Sequence, residues 1–252
     1  MCLILFAYRY HPQYPLIVAA NRDEYYTRPT APAGWWPEHP DLLAGKDLQA
    51  GGTWLGITRR GRFAAVTNVR EPLKATGREL SRGHLPRDFL QTDASNEQFG
   101  RHLMQGRSDY RGYNLIFGQP DRLHYYSNRS AKPLCLEPGI YGLSNAALNT
   151  PWPKVETGKQ QLTALLCHPQ IVVSALFELL SSTQIAADHQ LPDTGVSLDW
   201  ERRLSAIRIT GPDYGTRTAT LLLVNAQGQV DFFEQQVAPQ PRAPNSFSFL
   251  LQ

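Results

Sequence analysis

Apolar and polar positions follow two rhythms along this chain, and their alternation divides it into five blocks. Residues 3–9 (LILFAYR) and the following run YPLIVAA are nearly continuous apolar segments of strand length around a His-Pro-Gln loop. They predict a β-hairpin whose strands are buried on both faces. Residues 53–58 (TWLGIT) and 62–69 (RFAAVTNV) repeat the pattern around Arg60-Gly61 and predict a second hairpin. Between the two hairpins, residues 25–52 are rich in Pro, Gly and Trp and end in Gly51-Gly52. That composition predicts a long loop, and long loops in compact domains are often functional.

The rhythm then changes. Residues 84–92 and 95–105 predict two short helices, and 113–118 and 122–127 a third strand pair around Gln119-Pro120-Asp121. Cys135 lies in a short apolar stretch before Pro138-Gly139. Residues 152–166 and 170–182 place Leu162, Leu165 and Leu166, then Val172, Val173, Leu176 and Leu180, at helical spacing. Residues 185–203 are polar and irregular. Strands are predicted at 204–209, 217–225, 229–237 and 245–250, with Gln227-Gly228 as a hairpin turn. Strands joined mostly by hairpins give antiparallel sheets, and two such sheets with helices packed outside satisfy the layer rule. The expected fold is therefore α+β, in a single domain spanning residues 1–252.

Composition narrows the class. At 252 residues with 42% hydrophobic and 19% charged residues, the chain can bury a core without disulfide staples. Its three cysteines, Cys2, Cys135 and Cys167, are too few and too odd in number for a secreted disulfide scaffold, and no Cys/His spacing suits zinc. The opening lacks a basic stretch before its apolar run, and no apolar segment reaches membrane-spanning length. A cytoplasmic protein without an integral membrane segment is expected. The net charge of +3 is scattered, with no stripe or motif for nucleic acid. The densest basic stretches, Arg59–Arg62 and Lys74–Arg87, read as solvated surface.

Four features carry candidate chemistry. Cys2 follows the initiator Met, whose removal would leave a thiol and a free α-amine on one residue. A thiolate is the nucleophile, and an α-amine ordinarily titrates at about 7.7–8.0, so one residue would hold nucleophile and base. A small core cysteine is the competing reading, and a retained Met1 removes the free-amine mechanism. Asn21-Arg22-Asp23-Glu24 ends the neighbouring strand, where Asp23 could hold the α-ammonium and Arg22 could favour the thiolate. Asn68 and Asn145 stand at strand ends as amide donors to an oxyanion, a role whose loss typically costs about a hundredfold in rate; turn chemistry competes. Arg217, in YGTRT, enters a sheet and needs an anion, either a ligand carboxylate or an internal Asp.

The phrases MCLILF, AANRDEYYTRP, AGGTWLGITRRGRFAAVTN, GYNLIFG, YGLSNAALNTPWPKV and YGTRTATLLLVN together resemble the NRDE family, also called the transport and Golgi organisation protein 2 family. More distantly, the pattern is similar to choloylglycine hydrolases and penicillin V acylases, which are N-terminal-nucleophile enzymes. That resemblance implies a four-layer αββα sandwich of two mainly antiparallel sheets. It also implies Cys2 as nucleophile, Arg22 and Asp23 as its organisers, Asn68 and Asn145 at the oxyanion, and Arg217 as support. Arg22 and Asp23 are adjacent here, whereas those hydrolases space them apart, and the pocket segments do not match.

Three functions stay open at this stage. The first is cleavage or transfer of an acyl group at a non-peptide amide bond through Cys2, which requires no cofactor. The second, which the family resemblance implies, is a non-enzymatic carrier for haem or an acyl-CoA-like amphiphile. It would use Trp35, Trp36 and Trp54, with Tyr25 and Tyr26 nearby, as an apolar groove; core packing competes for these rings. The third is a scaffold with a vestigial site. Oligomeric state is not legible.

Overall fold

The computed structural model describes residues 2–72 and 79–252; Met1 and the Lys74–Arg78 part of the second basic stretch lie outside them. The chain runs β1 (Cys2–His11), β2 (Tyr14–Tyr25), β3 (Thr30–Trp36), β4 (His39–Asp47), β5 (Leu55–Thr58), β6 (Phe63–Asn68), α1 (His84–Gln91) and α2 (Asn96–Gln105). It continues with β7 (Tyr113–Gln119), β8 (Arg122–Ser127), β9 (Leu134–Cys135), β10 (Gly139–Leu143), α3 (Pro153–Leu166), α4 (Val173–Ser181), α5 (Leu198–Leu204), β11 (Tyr214–Val224), β12 (Gln229–Gln236) and β13 (Asn245–Leu250).

Two antiparallel sheets result. One has the order β10-β1-β2-β11-β12-β13, the other β3-β4-β5-β6-β7-β8-β9. The period of two sets which side chains fill which layer. In β1, Ile4, Phe6 and Tyr8 enter the core between the sheets, while Leu3, Leu5 and Ala7 pack outward on Val155, Leu162, Leu176 and Leu180 of α3 and α4. On the other sheet, Leu42, Ala64, Val66 and Leu115 pack on Leu85, Phe89, Phe99 and Leu103 of α1 and α2. Helix, sheet, sheet and helix layers follow, as expected. No helix among the described residues is long and apolar enough to cross a membrane.

Two expectations need correction. Residues 25–52 are not a long loop, because most of them form the tail of β2 and the strands β3 and β4. Leu42, Leu43 and Ala44 are buried and laddered to β5, and the register shifts around Pro32 and Ala33. Pro and Gly are tolerated in an edge strand with bulges, so composition hid the strand. Residues 204–209 are not a strand either. Leu204, Ala206, Ile207 and Ile209 are buried, but the segment follows a helix, α5, inside the stretch expected to be irregular. That helix carries ordinary signals: Ser197 accepts from Trp200 N–H, Asp199 and Glu201 sit in its first turn, and Arg202 and Arg203 in its last.

Neither basic stretch is simply solvated. Arg62 is buried, donates to the Phe89 carbonyl at 3.0 Å and lies 4.0 Å over the Phe89 ring. Arg82 lines a cavity shared with Cys2 and Arg22. Arg60, paired with Asp93 at 3.0 Å, is exposed as expected.

Candidate active site

The β1–β2 hairpin builds the site. Its register pairs Cys2 with Arg22, Leu3 with Asn21 and Ile4 with Ala20. Ile4 and Ala20 face the inter-sheet core, so by alternation Cys2 and Arg22 point into the same gap, at its open end. Asn21 and Asp23 fall on the helix side of the sheet. The Asn21 amide confirms this side by donating to the carbonyls of Leu180 and Ile207, both at 2.9 Å.

A cavity of about 350 Å³ opens at that end of the gap. Cys2, Arg22, Asp23 and Glu24 line it from one sheet; Trp54 and Asn68 line it from the other, and Arg82 and Arg111 from the connecting segments. Arg22 is buried and lies 4.2 Å over the Trp54 ring, which holds the guanidinium flat against the wall. Trp54 is seated in turn by Gly45, where a β-carbon would collide with the indole ring. Gly45→Ala is expected to displace Trp54 and cost about 1–3 kcal/mol through overpacking. Urea unfolding and tryptophan emission check this; an unshifted midpoint and spectrum would contradict the seating.

Cys2 is half-buried, and burial raises its thiol above the ordinary value of 9.0. The Asp23 carboxylate adds to the rise, while the chain's α-ammonium first, then the Asp23 backbone N–H and Arg22, pull the other way. Arg22 therefore does not make Cys2 a thiolate by itself, and attack needs a base. Asp23 is also raised by burial, offset first by Lys154, then by the chain's α-ammonium and by a hydrogen bond from Thr216. Thr216 Oγ1 donates to Asp23 Oδ1 at 2.6 Å. That contact depends on an irregularity: the β2–β11 register shifts between Thr216, opposite Asp23, and Thr218, opposite Arg22, leaving Arg217 as the extra residue.

The remaining expected residues take separate places. Asn145 is fully buried one layer behind Asn68, and its amide donates to the Asn68 carbonyl at 2.9 Å. Arg217 donates to the carbonyls of Tyr25 at 3.1 Å and of Arg28, stapling the β2–β3 turn, and lines a neighbouring cavity of about 100 Å³. Trp35 meets Phe249 edge to face and lies beneath Arg59, and buried Trp36 donates to the Ala44 carbonyl at 3.1 Å. Neither ring lines the Cys2 cavity; of the three tryptophans only Trp54 does.

The sequence reading missed a group of charges behind Asp23. Lys154 in α3 is 3% exposed, and Nζ has no hydrogen-bond partner among the described residues. Burial lowers it to about 8, opposed most strongly by Asp23. Arg70 and Glu201 form a buried ion pair at 2.7 Å. A signal was present in the phrase Pro-Trp-Pro-Lys-Val. Pro153 starts the helix, so Lys154 lies in its first turn, where the macrodipole disfavours a cation.

Two inward-facing sheets between helix layers, with a cysteine opening the central hairpin, define the N-terminal-nucleophile hydrolase fold. Solved structures agree. A Cys-to-Ala mutant of conjugated bile acid hydrolase from Clostridium perfringens superposes with a TM-score of 0.57 at 8% identity, over 98% of this chain and 92% of that one. The Caenorhabditis elegans orthologue of N-acylethanolamine-hydrolysing acid amidase gives 0.51 at 11% identity, over 88% and 92%. Residues 1–239 match the family described as Transport and Golgi organisation 2, and the chain belongs to it. The Transport and Golgi organization protein 2 homolog of Bos taurus is 37% identical over 94% of this chain and 93% of its own length. The human homolog is 36% identical over 94% and 93%.

Proposed function

We propose that this protein cleaves or transfers an acyl group at a non-peptide amide bond, with Cys2 as the nucleophile, in the cytoplasm. The carrying observation is the register that sets Cys2 beside Arg22 at the wall of a cavity that Asp23 and Asn68 also line. The names of the two solved structures, both hydrolases, support the reading. The cavity volume of about 350 Å³ falls at the small end of ligand sites.

The chemistry follows from the raised thiol. Once Met1 is removed, the neutral α-amine of Cys2 accepts the thiol proton as Sγ attacks the substrate carbonyl. Asn68 stands where it can donate to the oxyanion, and Asn145 holds the Asn68 backbone in place. The ammonium then passes its proton to the leaving amine, the C–N bond breaks, and a thioester remains on Cys2. Water, or an acceptor amine in the transferase version, releases the acyl group. No cofactor takes part.

The carrier reading, for haem or an acyl-CoA-like amphiphile, has less to stand on. Among the described residues the cavity lining carries many charges, one tryptophan and no histidine that could ligate a haem iron.

Intact mass and a β-lactone bearing an acyl chain test the proposal. In a Cys135→Ser/Cys167→Ser background, the expected protein lacks Met1 and gains the full probe mass on Cys2, and Cys2→Ala gains nothing. A folded protein that keeps Met1 and leaves the lactone unopened would overturn the enzymatic reading. A haemin titration is expected to leave the Soret band unshifted, and a saturable shift would favour the carrier.

A further inference from the structure

We propose that Lys154 is a positioning residue for Cys2, acting through Asp23. Its buried ammonium is the counter-charge that stops the Asp23 carboxylate from suppressing the Cys2 thiolate. This inference rests on Cys2 being the reactive residue of the site.

Strand alternation sends Cys2 and Arg22 to one side of β2 and Asp23 to the other. On that second side the first turn of α3 carries Lys154, 97% shielded from solvent and without a hydrogen-bond partner among the described residues. An ammonium in such a place is costly on two counts: it is desolvated and unbonded, and it opposes the helix macrodipole. A leucine or methionine would fill the space without either cost. What an apolar residue cannot supply is charge.

The charges facing Lys154 show what that charge does. From β2 comes Asp23, from β1 Cys2, from the segment after β6 Arg70, and from α5 Glu201. Arg70 and Glu201 neutralise each other at 2.7 Å. Of the cations acting on Asp23, Lys154 has the largest influence and the chain's α-ammonium the next. Cys2 itself faces the chain's α-ammonium, Asp23, Arg22, Lys154, Arg82 and Tyr214. Of these, Asp23 opposes thiolate formation, and Lys154 is the cation on Asp23's own side of the sheet. The downward pull on Lys154 to about 8 is consistent with that burial. A polar cavity of about 90 Å³, lined by Lys154 with Thr157, Gln184 and Ser205, lies on this side. It is lined by none of the residues of the Cys2 cavity, so proton exchange at Lys154 need not cross the substrate space.

The test reads Cys2 directly. Alkylation of Cys2 by iodoacetamide is followed from pH 6 to 10 in a Cys135→Ser/Cys167→Ser background. An opposite charge at close range typically moves a titration by about one unit or more. Lys154→Met is therefore expected to raise the alkylation midpoint and slow the reaction about tenfold at pH 7.5. Lys154→Arg is expected to restore it to within about twofold. Asp23→Asn should lie at or below the wild-type midpoint. The double variant Asp23→Asn/Lys154→Met, which removes both buried charges, should return close to wild type. A structural role for Lys154 would leave the double variant as slow as Lys154→Met, and that result would overturn the proposal. Should Lys154→Met not fold, the double variant against Asp23→Asn and wild type carries the comparison. Alkylation requires neither Met1 removal nor acyl chemistry. The expected ordering without acylation by the lactone would refute the enzyme and leave this inference standing.

Discussion

Glu201→Gln is expected to remove about 3–5 kcal/mol of folding stability, a large share of what a domain this size possesses. Glu201 and Arg70 are almost wholly buried, 4% and 6% exposed in their side chains, and meet at 2.7 Å. Glu201 is also fixed by Thr194, whose backbone N–H donates to it at 3.0 Å and whose hydroxyl donates to the same oxygen. Glutamine can still accept from Thr194 but no longer balances the guanidinium. Burial already pulls Arg70 below its usual range, and Glu201 is the largest influence opposing that pull. The cost of a buried cation that has lost its largest counter-charge follows. Because the penalty comes from the orphaned partner, Arg70→Met/Glu201→Leu should recover most of the loss and fall within about 2 kcal/mol of wild type. Urea unfolding of the two single variants and the double gives the cycle. A Glu201→Gln loss under about 1 kcal/mol would mean that the pair is solvated.

This pair also shows where sequence reading stopped. The hairpin that sets Cys2 beside Arg22 was legible because two apolar runs of strand length with a short Pro-containing loop leave few alternatives. Burial of both faces of β1 and β2 matches the helix-coated central strands of a layered fold. The layers were legible too, since helical and strand periods occur in blocks. The strands β3 and β4 were not, because β3 is an edge strand whose bulged pairing with β4 tolerates the Pro and Gly that signal loops. The charges behind Asp23 were illegible for another reason. Arg70, Lys154 and Glu201 lie in three separate segments, and each taken alone reads as surface. Only the fold, which packs α3 on β1 and β10 and ties Glu201 of α5 to Arg70, brings them together. Arg217 was legible as an arginine needing acceptors, but whether carboxylate or backbone would serve was not; it takes the carbonyls of Tyr25 and Arg28.

Glu234 supplies the second large effect, a loss of stability as pH rises through neutrality. It sits on β12 facing the other sheet, 3% exposed, and accepts from the Ala33 N–H at 2.6 Å. Ala33 lies where the β3–β4 register shifts, so its N–H is free of that ladder and Glu234 ties the two sheets together there. Burial pushes its carboxyl from 4.5 to about 7, against the downward pulls of the Ala33 N–H and Arg22. The folded chain therefore holds this proton over a pH range where the unfolded chain has released it. Between about 4.5 and 7 the folded state binds more protons, so unfolding becomes easier as pH increases. The contribution is complete below the unfolded value and gone once pH passes the folded one, and the gap is worth about 3 kcal/mol. Glu234→Gln keeps an oxygen for Ala33 but cannot ionise, so its stability should not carry this slope. Asp23 and Lys154 also titrate abnormally, and for that reason the informative quantity is wild type minus Glu234→Gln. Measured by urea unfolding at pH 5, 6, 7 and 8, that difference should move by about 3 kcal/mol in favour of the variant. A difference constant across the series would place the proton of Glu234 elsewhere, and with it the claim that an ionised carboxylate is unwelcome between these sheets.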